Sequence, residues 1–298
     1  MTVSRIAISS EGPMFSRIAQ GFGSSARWDK SPRQVLEHVS ECVDLGITTL
    51  DIAAVYGGGR AEPLLGDALA LNPPLRDKLQ LITKCCIGTW NTSLYHYDTS
   101  RAHISWSVDQ SLAKLRTDRI DVLLIHRPDP LMEADDVAEA FTELRQSGKV
   151  LHLGVSNFTP SQFELLASRL SFPLVTNEVE FSVMHLDTWH DGTLDLCQRL
   201  RISPLAWGPL GGGHLFRDET ERAVRLRSEL QAVAEELGGA SIDQVAVAWI
   251  LKHPANIVPI LGTGKVERVR SAVKADALEL TREQYFRIWT ASTGTRLP

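Results

Sequence analysis

Thr48-Thr49-Leu50-Asp51-Ile52-Ala53-Ala54-Val55-Tyr56-Gly57-Gly58-Gly59 is the stretch on which the reading of this chain turns. It opens apolar and β-branched, as a buried strand does. It then delivers a carboxylate at Asp51, a phenol at Tyr56 and three glycines. In a parallel barrel the loops after the strands gather on one face. A strand that ends in Asp and runs into a glycine-bearing loop with Tyr is suited to presenting reactive groups there.

Outward from this stretch, short apolar segments alternate with amphipathic ones. Strands are expected at residues 17–20, 79–84, 120–126, 150–156, 174–178, 202–207 and 257–261, besides the opening one. Helices are expected between them. Ser31-Pro32 and Thr159-Pro160 read as helix starts, with a hydroxyl cap followed by proline in the first turn. Ser241 with Gln244 reads the same way, and Gly46 and Gly148 read as stops. Residues 88–100 form a long polar and aromatic loop. Eight strands alternating with helices over 298 residues predict a parallel α/β fold, a closed (β/α)8 TIM barrel with its active site at the C-terminal face of the strands. A doubly wound dinucleotide fold would show G-x-G-x-x-G after its first strand. Here Gly21-Phe22-Gly23 is followed by Ser24-Ser25-Ala26, so that fingerprint is incomplete. With no internal linker, residues 1–298 read as one domain.

The net charge of −5 and the dispersed basic residues give no footprint for nucleic acid or an anionic membrane. No apolar run approaches the roughly 20 residues of a membrane span, and Met1 to Gly12 lacks a secretory pattern. Cys85 and Cys86 are adjacent, while Cys42 and Cys197 stand far off. That is neither a disulfide framework nor metal-ligand spacing, and no metal is expected. A reduced, cytoplasmic setting is the expectation.

Polar residues fall at the ends of the expected strands: Asp51, Lys84, His126, Ser156-Asn157, Glu178, Trp207 and Gly262-Thr263-Gly264. Burying Asp, Lys and His near one another costs free energy unless they are paired. Such sets in a cleft are more often functional than structural. A Tyr hydroxyl is a poor acid near neutrality unless a neighbouring cation favours the phenolate. Lys84 is the natural cation for Tyr56, Asp51 a partner for Lys84, and His126 a hydrogen-bonding group for a substrate oxygen. Together they suit a general acid aimed at a developing alkoxide. No acyl-transfer pattern is evident, which leaves carbonyl reduction or its reverse with a hydride-donating cofactor.

The chain resembles the aldo-keto reductases over nearly its whole length. The resemblance is carried by Leu50-Asp51-Ile52-Ala53-Ala54-Val55-Tyr56-Gly57, Leu81-Ile82-Thr83-Lys84, Leu123-Leu124-Ile125-His126-Arg127-Pro128, Gly154-Val155-Ser156-Asn157-Phe158 and Ile260-Leu261-Gly262-Thr263-Gly264-Lys265. Within that family, Ile125-His126-Arg127-Pro128-Asp129-Pro130-Leu131-Met132 and Leu210-Gly211-Gly212-Gly213 resemble the bacterial YdhF-like reductases. The resemblance implies that Asp51, Tyr56, Lys84 and His126 are a catalytic tetrad with Tyr56 as proton donor. It implies NADPH as cofactor, with Ser156, Asn157 and Glu178 at the carboxamide and Trp207 stacked on the nicotinamide. Gly208, Leu210, Gly262, Thr263, Gly264, Lys265 and Arg268 complete the expected cofactor contacts, the last group near the 2′-phosphate. A small carbonyl compound is the expected partner, and a monomer or weak oligomer the expected state.

The family usually carries Gln where Glu178 stands. A carboxylate there cannot donate, and it puts negative charge near the cofactor. Some members have Lys in place of Gly262, so here the cation for the phosphate is Lys265 or Arg268. Trp28 and Trp90 are expected to line the substrate pocket. Arg127 and Asp129 read as a pair in the turn before Pro130, and His38, His185, His190 and His253 as structural or surface residues. Two other readings stay open: a low-turnover NADPH-binding sensor or accessory subunit of the same fold, and an unrelated barrel hydrolase or lyase.

Overall fold

In the computed structural model, residues 2–88 and 94–296 are described. Eight parallel strands close a barrel in sequence order. They are β1 (Ala19–Gly21), β2 (Thr49–Asp51), β3 (Gln80–Cys85), β4 (Ile120–Ile125), β5 (Val150–Ser156), β6 (Asn177–Glu180), β7 (Leu205–Trp207) and β8 (Val258–Leu261). The barrel closes where Ile260 and Leu261 of β8 pair with Ala19 and Gln20 of β1. Apart from the start of β5, where Leu151 is exposed, the strands are buried on both faces or nearly so, as a parallel sheet under a helical coat requires.

The helix starts follow from the caps. Ser31 accepts from Gln34 N ahead of helix Pro32–Asp44, and Thr159 accepts from Gln162 N ahead of helix Pro160–Ala167. In both, the glutamine side chain returns to the cap's own backbone, which satisfies two otherwise open donors. Ser241 and Gln244 repeat this box before helix Ile242–Leu251.

A β-hairpin, Arg5–Ala7 against Met14–Ser16, precedes β1. Its Phe15 and the adjoining Ile8 are fully buried and pack with Ala19, Ile82, Val122, Leu205 and Val258. Ser203, just before β7, donates its N–H to Ile8 O at 2.7 Å. The hairpin therefore floors the barrel at the end opposite the polar site. A second short hairpin, Ile87–Gly88 with His96–Tyr97, stands within the long loop after β3. Trp90 lies outside the described residues.

The strand expected at 174–178 is displaced: regular pairing begins at Asn177 and continues to Glu180. Leu174 and Val175 follow Pro173, which has no N–H to give to a ladder; Val175 still donates to Leu153 O. The displacement sets Glu178 inside the ladder, between Ser156 of β5 and Leu205 of β7, rather than at the barrel rim. Among the described residues, no helix is long and apolar enough to cross a membrane.

Candidate active site

Asp51 is the last residue of β2 and pairs in register with Gly21 of β1. A side chain at Gly21 would meet Ile260 at 2.6 Å, so glycine there lets β1 and β8 approach beside Asp51. After Ala54 the chain turns. Gly57, Gly58 and Gly59 have φ of +63°, +67° and +82°. Three consecutive left-handed residues strain any side chain but glycine's. That turn leaves Tyr56 O to accept from both Gly59 N and Ala61 N, which fixes the tyrosine at the start of helix Ala61–Ala70.

Lys84 comes from β3 and is completely buried. Its ammonium donates to Asp51 Oδ1, to Ile52 O at 3.2 Å and to the Tyr56 hydroxyl at 3.3 Å. It also lies 3.2 Å from Glu178 Oε2, off the line of a hydrogen bond. His126 follows β4, and its ring stands edge-on to Tyr56, centroids 5.6 Å apart at 79°. The four tetrad residues expected from sequence thus come together, and Glu178 joins them.

The electrostatics divide the roles. Burial works against the Lys84 ammonium, but the charges of Asp51 and Glu178 outweigh it and the net direction is upward. Burial pushes the Tyr56 phenol up, with Lys84 opposing. Lys84 therefore stays a cation and Tyr56 keeps its proton until something draws it off. Burial, Lys84 and Arg127 push His126 down to about 2, so its imidazole is neutral. Burial and the neighbouring Asp51 charge push the Glu178 carboxyl up to about 8. Asp51 is also raised by burial, against the pull of Lys84.

A second group joins β5, β6 and β7. Ser156 Oγ donates to Glu178 O at 3.0 Å, and Asn157 Nδ2 donates to Ser156 Oγ at 2.7 Å. Trp207 Nε1 donates to Asn157 Oδ1 at 3.0 Å. Asn157 holds φ of +61°, a conformation asparagine tolerates better than most residues. Gly208 and Leu210 continue from Trp207 into the loop, where Gly211 N donates to Gly208 O at 2.7 Å.

The third group follows β8. Thr263 Oγ1 accepts from Lys265 N at 3.2 Å, immediately before helix Val266–Val273. That helix has no side-chain cap. Its open N–H groups, with Thr263 and the exposed Lys265 and Arg268, make a fitting cradle for a phosphate. Gly262 O accepts from Ser24 Oγ. A Cβ on Gly264 would stand 2.7 Å from the Trp28 ring. Trp28 is accordingly packed beside the 262–265 segment, 5.0 Å from Phe22 and 5.3 Å from His38 by ring centroids, with Nε1 donating to Ser24 Oγ at 2.9 Å.

Arg127 does not pair with Asp129. Asp129 accepts from Thr99 N and Oγ1, which tie it to the loop after β3, and from Leu131 N in its own turn. The Arg127 guanidinium instead lies over the Trp207 ring, 5.7 Å from its centroid. It lines a cavity of about 260 Å³ together with Asn157, Thr159, Glu180, His185 and Trp207. His185, read from sequence as a structural or surface residue, lies 3.7 Å from Glu180. Of these cavity residues, Asn157 and Trp207 were expected at the cofactor from sequence, whereas Glu180 carried no signal there.

Residues 18–292 match the family model described as "Aldo/keto reductase family". "Oxidoreductase YdhF" of Escherichia coli (strain K12) is 51% identical over 99% of this chain and 100% of that protein. A "6-dehydroglucose reductase" of Agrobacterium fabrum is 43% identical over 97% of this chain and 98% of that one. Among solved structures, the thermostable aldo-keto reductase Tm1743 with the inhibitor epalrestat aligns at a TM-score of 0.81 and 25% identity, over 97% of this chain and 100% of that one.

Proposed function

The chain belongs to the aldo/keto reductase family, oxidoreductases that work with nicotinamide cofactors on small carbonyl compounds, and on that premise we propose that it reduces an aldehyde or ketone to an alcohol with NADPH. The observation that carries this reading is the Tyr56 hydroxyl held 3.3 Å from a buried ammonium. NADPH, when bound, supplies the hydride. Ser156, Asn157 and Glu178 would hold the carboxamide end, Trp207 the ring, and Gly208 and Leu210 the chain between. Thr263, Lys265 and Arg268 would hold the 2′-phosphate, with Gly262 and Gly264 letting the backbone approach.

Tyr56 gives its proton to the carbonyl oxygen. Lys84 donates to the phenolate oxygen that remains, and Asp51 keeps the ammonium in place. The proton transfer is helped because the donors are fixed and buried before reaction. His126, neutral, orients the substrate oxygen by a hydrogen bond.

The relative named 6-dehydroglucose reductase supports a polar, hydroxylated aldehyde as substrate. The free, buried thiols of Cys42, Cys85, Cys86 and Cys197 support a reducing, cytoplasmic setting. The test is loss of reduced-nicotinamide absorbance with a panel of aldehydes, sugar aldehydes included. Turnover is expected with NADPH. Tight NADPH binding without turnover on any member would contradict the reading and favour a sensor.

A further inference from the structure

Glu178 is the ionisable group at the site for which the proton transfer above has no use. Its side chain is 2% exposed. Its Oε2 lies 3.2 Å from Lys84 Nζ but makes no hydrogen bond. The same ammonium donates to Asp51 Oδ1. Two carboxyls therefore share one ammonium where water is excluded.

The surroundings offer little else to balance them. From β2 and its loop come Asp51 and Tyr56, from β3 Lys84, and from β4 the neutral His126. Ser156 of β5 binds the backbone oxygen of Glu178, not its carboxyl. The register partner on β7 is Leu205. Arg127 lies farther out, over Trp207, and Glu180 on the same strand turns to His185. Among the described residues, Lys84 is the one cation facing Glu178. Two carboxylates against one buried cation leave a net charge that burial penalises, and a proton held between them removes it.

Resting on the reductase reading, we propose that Glu178 is a positioning residue: it shares a single proton with Asp51, and loss of that proton sets the alkaline limit of the enzyme. With the proton, the group of Asp51, Glu178 and Lys84 is neutral, and Lys84 is available to the Tyr56 phenolate. Without it, a second negative charge competes for Lys84 and opposes the phenolate. Burial and the Asp51 charge bring this ionisation up to about 8, within the working range of a cytoplasmic enzyme. A neutral carboxyl also keeps both a donor and an acceptor, as the glutamine usual in this family does.

Two readouts test this. In the first, kcat is followed from neutral to alkaline pH for the native enzyme and for Glu178→Gln, each scaled to its own neutral value. The native enzyme is expected to lose rate about tenfold per pH unit above about 8, and the glutamine variant to show no decline there. The same decline in both proteins would overturn the proposal. The second is an infrared difference spectrum without cofactor. A carboxylic-acid C=O band that fades as pH passes about 8, present in the native protein and missing from Glu178→Gln, is expected. No such band at neutral pH overturns the shared proton even if the enzyme turns over. A native protein with the band but no reductase activity at any pH keeps the shared proton, refutes the alkaline limit assigned to it, and refutes the reductase reading separately.

Discussion

Lys84 Nζ lies 3.3 Å from the Tyr56 hydroxyl and 5.1 Å from the centre of its ring. The ammonium thus meets the phenol at its oxygen, where charge develops when the proton leaves. Lys84→Met keeps an unbranched apolar stem, one atom shorter, and removes the cation. It is expected to lower kcat at least about 100-fold, and to cost about 3–5 kcal/mol of stability because two buried carboxyls lose their partner. Single-turnover kinetics and urea unfolding measure the two effects. Unchanged kcat would separate Lys84 from the chemistry.

Lys265 and Arg268 flank an uncapped helix start and are exposed. A charge-assisted contact to phosphate is worth about 1.5–3 kcal/mol. Alanine at either position should raise the KM for NADPH roughly tenfold or more while leaving the KM for NADH nearly alone. Equal effects on both cofactors would show that these cations do not read the 2′-phosphate.

Gly264 has no room for a side chain, with the Trp28 ring 2.7 Å from an added Cβ. Gly264→Ala should displace Trp28, cost about 1–3 kcal/mol, and raise the KM for NADPH more than that for substrate. Tryptophan emission and the two KM values check this. A rise confined to the substrate KM would put Trp28 in the substrate pocket, as its sequence position had suggested.

Stability should carry the signature of Glu178. Its ordinary value of 4.5 rises to about 8 in the fold. The folded chain therefore holds a proton that the unfolded chain has lost between those values. The stabilisation is full below about 4.5 and is lost as pH rises through about 8. Glu178→Gln has no such loss. Its stability relative to the native protein should grow by a few kcal/mol, order of magnitude, across that window. Denaturant unfolding at two pH values inside it measures the change. A constant difference would contradict a raised Glu178.

The barrel was legible because its punctuation is local. Ser31, Thr159 and Ser241 each cap a helix with a glutamine three residues on, and the strands between are short apolar runs. That Asp51, Lys84 and His126 converge was legible because each sits at or next to a strand end, and Tyr56 because it follows Asp51 in the same loop. Glu178 was misplaced because Leu174 and Val175 look like strand but follow proline. The N-terminal hairpin went unread because Arg5–Ala7 and Met14–Ser16 are only 3 residues each. Trp28 and Arg127 depended on contacts with Gly264 and Trp207, more than 70 residues away in sequence, which no local pattern encodes. The three glycines after Tyr56 carried a clear signal whose meaning came only with their φ values.

The central claim is that Tyr56 is the proton donor, and Tyr56→Phe tests it most directly. The change removes one oxygen from a buried ring and leaves the edge contact with His126 in place. Reduction of an activated aldehyde by NADPH should fall about 100- to 10,000-fold in kcat, while NADPH binding, followed by its fluorescence, stays within about threefold, roughly 0.7 kcal/mol. Equal rates of NADPH oxidation by the native protein and the phenylalanine variant would contradict the account.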